Sequence, residues 1–188
     1  MRKIICLALF LFSTVVLPAQ TNVDSLVHVL NTKKLTDEEK IQLYRNIVLG
    51  YWGNDSDKTI LYAHEALNVS GGISSDLWCA RFSRILGYSY IHINADSSLH
   101  YLKNAKEFAI KAKDKQEEAI TAVYTGSLYT SQGKYELALQ HFMDALPSLE
   151  DLEHHEQQAN ALINIAKIYT KLLHIDLALK YCEQALDI

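Results

Sequence analysis

Residues 119–150 of the chain read AITAVYTGSLYTSQGKYELALQHFMDALPSLE, and this stretch decides the fold. Small and aromatic residues recur in it at helical spacing. Gly126 and Tyr129 share one helix face, and Gly133 follows that helix as a turn residue. Phe142 belongs to a second segment with the same periodicity. Because small residues let helices approach closely and rings fill the wider spaces, the stretch predicts a helical hairpin.

The same pattern recurs along the chain with a period of about 40 residues. Four alanines mark it, each standing four residues after a Tyr or His: Ala66, Ala105, Ala145 and Ala185. A period of this length is typical of stacked helical hairpins. It exceeds the usual period of about 34 residues, which we attribute to longer helices with ordinary turns. The sequence therefore predicts an all-α fold, a right-handed α-solenoid of about four hairpins at residues 40–73, 76–113, 116–152 and 156–188.

This pattern resembles the tetratricopeptide repeat (TPR). In the third hairpin, Thr125, Gly126 and Tyr129 occupy the Leu-Gly-x-x-Tyr part of the TPR pattern, and Ala138, Phe142 and Ala145 occupy its second helix. The sequence departs from the pattern at Ala122, which replaces the usual Trp, at Thr125, which replaces Leu, and at Glu150, which replaces Pro. Arrays of this kind are binding surfaces more often than catalytic sites.

A short helix is predicted ahead of the array, within residues 20–35. Its apolar positions are Val23, Leu26, Val27 and Leu30, the spacing of an amphipathic helix that caps the first hairpin. Thr36 followed by Glu39 forms a capping-box pattern. The TPR-like array is therefore expected to span residues 36–188.

The N-terminus has the layout of a secretory signal peptide. Arg2 and Lys3 precede an apolar run, Ile4–Leu17, and Ala19 offers a small residue for cleavage. A helix of this run would span about 21 Å, which is short of the roughly 30 Å bilayer core. We therefore interpret residues 1–19 as a signal peptide and expect the mature protein to be exported to the periplasm.

Composition and motifs exclude several classes of function. The net charge of −4 gives no reason to expect nucleic acid or an anionic membrane as a partner of this region. Residues 153–156 (EHHE) lack the spacing of a zinc motif, and residues 54–57 (NDSD) are better explained as a capped turn than as a calcium loop. Cys79 and Cys182 are interpreted as two small buried residues. We expect no catalytic residues, no metal and no cofactor, and hence no enzyme.

The candidate ligand-binding residues come from the TPR resemblance, which implies that the first helix of each hairpin lines a concave groove. Projecting the register onto this face selects Tyr51, Arg81, Arg84, Tyr88, His92, Tyr124, Ser127, Asn160, Asn164, Lys167 and Lys171. The residues from Arg81 to His92 form one predicted helical stripe, and those from Asn160 to Lys171 form another. Such stripes would suit an acidic or carboxylate-bearing peptide. The alternative is that they are only a solvated helix face.

The order of parts adds a second, broader resemblance. A signal peptide, the sequence Asp24-Ser25-Leu26 and TPR-like hairpins containing Tyr62–Leu67 follow one another. This order is similar to the exported N-terminal sensor region of Bacteroidetes-type TPR regulators. The resemblance implies periplasmic repeats followed by a transmembrane helix and a histidine kinase or helix-turn-helix domain.

Two functions stay open at this point. The chain is either the periplasmic sensing module of a signalling protein, binding a peptide or protein, or a stand-alone exported adaptor that scaffolds an envelope protein complex. The sequence stops at Ile188, inside the second helix of the fourth hairpin. We expect it to be the front part of a longer protein, with an open end that could form a homodimer.

Overall fold

The computed structural model describes residues 23–188, and the predicted signal peptide at 1–19 lies outside them. The described part contains nine α-helices and no strand. The helices are α1 Val23–Thr32, α2 Asp37–Tyr51, α3 Ser56–Gly72, α4 Asp76–Ser89, α5 Ala95–Ala112, α6 Lys115–Ser131, α7 Tyr135–Asp151, α8 His155–Lys171 and α9 Ile175–Leu186.

Helices α2 to α9 form four antiparallel hairpins, α2/α3, α4/α5, α6/α7 and α8/α9. Each helix packs on its neighbours in sequence, and the first helices of successive hairpins also touch, α4 against α6 and α6 against α8. This arrangement confirms the predicted all-α solenoid. Helices α2 to α8 contain 14 to 18 residues and are joined by short turns, so the long period does arise from long helices.

Helix α1 covers the outer side of the first hairpin. A Cβ atom added to Gly50 would lie 2.5 Å from Cγ2 of Val23, so the glycine is what allows α1 to lie against α2. Leu30 packs on the core cluster that contains Ile41 and Val48. The predicted capping box is present: Thr36 accepts from the backbone N–H of Glu39, whose side chain accepts from the N–H of Thr36.

The core runs through the stack along the predicted register. Ala66, Ala105 and Ala145 are buried, whereas Ala185 on the last described helix is half-buried. A Cβ atom on Gly126 would lie 2.9 Å from the ring of buried Phe142, so a larger residue at that place would force the ring to shift. Close packing of this kind fixes the two helices of the hairpin against each other.

One sequence-based expectation about the core is wrong. Cys79 is buried, but Cys182 is exposed, because it lies on α9 and no further helix covers that side of the described residues. Within residues 23–188 no helix combines the length and the apolar character that a membrane span requires.

Candidate functional site

The first helices α2, α4, α6 and α8 form what we call the first-helix wall. Three rings make a continuous row on it, the aromatic row Trp52, Tyr88 and Tyr124. Trp52 directly follows α2, Tyr88 belongs to α4 and Tyr124 to α6. Trp52 stacks on Tyr88 with ring centroids 5.1 Å apart, and Tyr88 is tilted against Tyr124 at 4.8 Å. Tyr88 keeps 42% of its surface exposed in the middle of this row. A partly exposed aromatic surface of this kind suits the binding of apolar or planar groups.

A buried carboxylate joins two of the candidate arginines. Glu117 of α6 is 3% exposed, and both Arg81 and Arg84 of α4 form ion pairs with it. The Nε atom of Arg84 donates to Oε1 of Glu117, and Nε of Arg81 lies 3.6 Å from Oε2. The Arg84 guanidinium also lies over the ring of Tyr124. Removing one partner of a buried pair is costly, so Arg84 and Glu117 hold α4 against α6 as well as carrying charge.

The predicted stripe of free arginines is thus partly neutralised. Two guanidinium groups face one carboxylate, which leaves one positive charge in excess. Arg81 is the more accessible of the two, with 33% of its side chain exposed against 15% for Arg84. Arg81 also lies over the ring of Trp78, with 5.0 Å between the guanidinium carbon and the ring centroid.

Two open clefts lie beside the aromatic row: one includes Arg84, whose guanidinium lies over Tyr124, and the other includes two of the rings themselves. The first, of about 290 Å³, is lined by α2, α4 and α6 residues that include Arg45, Trp78, Arg81, Arg84 and Glu117. The second, of about 270 Å³, includes Trp52, Tyr88 and His92 and lies at the turns that follow α2 and α4, with Ser56 and Thr59 of α3 in its lining. The structure therefore brings Arg81, Arg84, Tyr88, His92 and Tyr124 into one region.

His92 lies in this region, but it is not on helix α4 as predicted. Helix α4 ends at Ser89, so His92 lies in the turn before α5 and is not part of a helical stripe. The helix stops because the turn has its own structure, in which Asn94 accepts from the backbone N–H of Ser97 and opens α5. His92 is exposed there and lines the second cleft beside Tyr88.

The second predicted stripe lies on α8, away from the clefts. Asn164 donates through Nδ2 to Asn160, at 3.0 Å to its backbone carbonyl and 2.7 Å to its side-chain oxygen. Lys167 and Lys171 follow on the same helix and are exposed. These four residues share one helix as predicted, and they supply amide groups and positive charge.

Two predicted site residues are engaged elsewhere. Tyr51 stacks on Tyr62 of α3 with 5.8 Å between ring centroids, so its ring packs within the first hairpin. Ser127 is half-buried, and its hydroxyl donates to the backbone carbonyl of Val123. Neither residue lines the two clefts.

Sequence reasoning missed four residues of this region: Arg45, Trp52, Trp78 and Glu117. The chain has two tryptophans, and both line a cleft, so their rarity was a usable signal. Glu117 had no such signal, because its arginine partner lies 33 residues earlier in the chain.

Burial raises the pKa of the Tyr124 hydroxyl, while the nearby Arg84 acts in the opposite direction. The phenol is therefore neutral at physiological pH. Within the described residues, no group of three or more His, Cys, Asp or Glu side chains is arranged to hold a metal ion.

Comparison with known proteins supports the tetratricopeptide resemblance for the C-terminal part of the chain. Residues 117–188 match the family model described as Tetratricopeptide repeat. This segment covers the third and fourth hairpins almost completely. No curated protein matches the chain in sequence.

Several solved structures share the fold. The Rap protein complexed with Competence and Sporulation Factor superposes with a TM-score of 0.78 at 19% identity, over 88% of this chain and 47% of that one. The apo form of RapI superposes with a TM-score of 0.74 at 16% identity, over 88% of this chain and 64% of that one. Aspartyl phosphate phosphatase F from Bacillus subtilis superposes with a TM-score of 0.73 at 18% identity, over 90% of this chain and 44% of that one. The chain thus spans about half to two thirds of the length of these proteins, and the likeness is one of fold.

Proposed function

We propose that the chain is a binding module that holds a peptide or a protein segment on the first-helix wall. The observation that carries the proposal is the exposed ring of Tyr88, in an aromatic row beside two open clefts. Extended peptides are held by grooves that combine rings with a few charged groups. One structure of similar fold is complexed with Competence and Sporulation Factor, so a solenoid of this shape can hold a factor.

The charges of the wall favour a ligand that carries carboxylates. Arg81 and Arg84 have one positive charge in excess over Glu117, and Lys167 and Lys171 add two more on α8. The exposed α8 residues would then act as a second contact for a ligand that lies along the wall. Guanidinium groups bind carboxylates in bidentate geometry, whereas ammonium groups act as point charges.

A peptide selection tests this proposal. A random phage-displayed peptide library is selected against the immobilised chain, and the affinities of the selected peptides are measured by fluorescence anisotropy. We expect peptides enriched in Asp and Glu. Tyr88→Ser and Lys167→Glu should each weaken binding about fivefold or more, because each removes one contact worth about 1 kcal/mol.

The control for this experiment is Lys180→Glu, which makes the same charge reversal on an exposed residue of α9, outside the wall. Arg84→Glu is unsuitable, because it would leave the buried Glu117 beside a second carboxylate and disturb the fold. Selected peptides that bind Tyr88→Ser and Lys167→Glu as tightly as the unchanged chain would overturn the assignment.

We further propose that this module acts outside the cytoplasm, as the periplasmic sensing part of a signalling protein. The support is the signal-peptide pattern of residues 1–19 and the resemblance to exported TPR regulators. Residues 1–22 fused to a reporter enzyme that is active only after export should give activity. Replacing Leu9 and Leu11 with Arg should abolish it, because the apolar run is interrupted. A reporter that stays inactive with the unchanged residues contradicts the export proposal and leaves the peptide selection unaffected.

A further inference from the structure

A third cleft lies on the other side of the array, between α5, α6 and α7, and we call it the back cleft. It has a volume of about 170 Å³ and is lined by Leu99, Leu102, Lys103, Lys106, Thr121, Ala122, Thr125, Tyr129 and His141. None of these residues lines the two clefts of the first-helix wall. The back cleft is therefore separate from the proposed peptide site.

The back cleft exists because two side chains of α6 are small. Ala122 and Thr125 stand where the TPR pattern has Trp and Leu. The matching residues of the fourth hairpin are Leu162 and Ile165, which are 5% and 0% exposed and fill the equivalent space. The third hairpin thus lacks bulk at both places, and both residues line the back cleft.

The wall of the back cleft combines a flat apolar surface with positive charge. The rings of Tyr129 and His141 are stacked, with centroids 5.4 Å apart and 19° between their planes. Leu102, which also lines the cleft, is fully buried, while the Lys103 and Lys106 side chains are exposed on α5. Lys103 and Lys106 stand three apart on the helix and so project from the same face.

Two further polar groups belong to this wall. Thr121 is buried, and its hydroxyl oxygen is one of two buried side-chain oxygens without a hydrogen-bond partner among the described residues. Thr125 donates its hydroxyl proton to the carbonyl of Thr121 and keeps acceptor capacity. The carboxylate that acts on His141 is Asp144 on the same helix. The lining of the cleft itself contains two lysines and no carboxylate, so it carries an excess of positive charge.

We propose that the back cleft binds a small molecule with one flat apolar ring and one carboxylate. The ring would lie against Ala122 and the stacked pair of Tyr129 and His141, and the carboxylate would be held by Lys103 and Lys106. The volume is below the roughly 300–1,000 Å³ of sites for drug-sized ligands, which limits the occupant to about one ring. This site does not depend on the peptide-binding proposal.

The probe for this site is benzoate, titrated into the full chain labelled with ¹⁵N and followed by ¹H–¹⁵N NMR. We expect saturable shifts of the amides of Thr121, Ala122, Thr125 and His141. Benzyl alcohol, which has the ring without the charge, and inorganic phosphate, which has charge without the ring, should each bind at least about fivefold more weakly.

Two variants test the roles of charge and space separately. Lys106→Ala should weaken benzoate binding about fivefold, through the loss of one ion pair. Its control is Lys111→Ala on the same helix, because Lys111 lies over Phe108 outside the back cleft, and binding should change less than twofold. Thr125→Leu restores the usual TPR residue and should abolish binding by filling the cleft, with the melting temperature unchanged or raised.

Three results would overturn the proposal: no saturable shift at these amides, equal binding of benzyl alcohol, or unchanged benzoate binding in a folded Thr125→Leu variant. If Thr125→Leu fails to fold, Ala122→Leu gives the same test from the adjacent turn of α6. A failure here leaves the peptide selection on the first-helix wall unaffected, since the two sites share no residue.

Discussion

At the scale of single residues, the repeat is held together by pairs of stacked rings. Each hairpin has one pair, formed by the end of its first helix and the middle of its second: Tyr51–Tyr62, Tyr90–Tyr101, Tyr129–His141 and Tyr169–Tyr181. Their ring centroids lie 5.8, 5.7, 5.4 and 5.6 Å apart. His141 is the one residue of the eight that is not a tyrosine. It is half-buried and stacks on Tyr129, so it is a packing residue at the place that tyrosine fills in the other three hairpins.

His141 should make the stability of the chain sensitive to acid. Burial lowers its pKa below the usual 6.5, Lys106 lowers it further, and Asp144 acts in the opposite direction. The unfolded chain therefore binds a proton at a pH where the folded chain does not. The contribution of His141 to the free energy of unfolding is therefore fully present above pH 6.5, and it is lost as the pH falls below that value.

We expect His141→Tyr, which restores the repeated ring, to reduce the fall in melting temperature between about pH 7.5 and pH 5. A smaller fall should persist, because burial also lowers the pKa of His64. The exposed His155→Tyr is the control and should behave as the unchanged chain does. The measurement is the melting temperature by circular dichroism at each pH. A His141→Tyr variant with the full acid sensitivity would contradict the assignment.

At the scale of helices, the ends of the elements decide how the hairpins turn. Helix α6 is followed by Gly133 at φ +70°, the left-handed conformation that glycine adopts without strain, and this confirms the predicted turn. After α8 the same place is occupied by Leu173 at φ +61°, with 81% of its surface exposed. The fourth hairpin therefore has the same turn geometry as the third, although a leucine is strained in the left-handed conformation.

Because glycine occupies one turn and leucine the other, exchanging the two residue types should change stability in opposite directions. Leu173→Gly should stabilise the chain by about 0.5–1 kcal/mol, since it relieves a left-handed leucine and removes no buried contact. Gly133→Leu should destabilise it by about 1–2 kcal/mol for the converse reason. Each kcal/mol corresponds to about 2–4 °C in melting temperature for a chain of this size. A melting temperature that rises in both variants, or falls in both, would contradict this prediction and show that the two turns are not equivalent.

At the scale of the whole molecule, the array buries the same face of each hairpin against the next one. Leu139 and Leu146 of α7 pack on the core cluster that α8 completes. The corresponding residues of α9, Leu179 and Leu186, are exposed, because no described helix follows them. Among the described residues the two outer sides of the array therefore differ: α1 covers the first hairpin, and the outer face of α9 is apolar and has no helix packed on it.

The repeat register also explains how far the candidate site could be predicted. The choice of Tyr88, Arg81 and Tyr124 came from the TPR resemblance, which implies that first helices line a groove, together with spacing along single helices. Their partners Trp52 and Glu117 come from other hairpins, so no spacing within one helix points to them. His92 lines the same cleft as Tyr88, although the helix on which it was predicted to lie ends three residues before it.

The sequence by itself determined the hairpins, their register and most of the buried residues. It could do so because helical periodicity and the need for small residues at close contacts are local, and they repeat along the chain. Only the tertiary structure decided that Arg84 is tied to a buried Glu117, that the rings form a row beside two clefts, and that Ala122 and Thr125 leave a third cleft open. These features depend on how neighbouring hairpins rotate and slide against each other, and that geometry is set by side-chain packing between residues far apart in the chain.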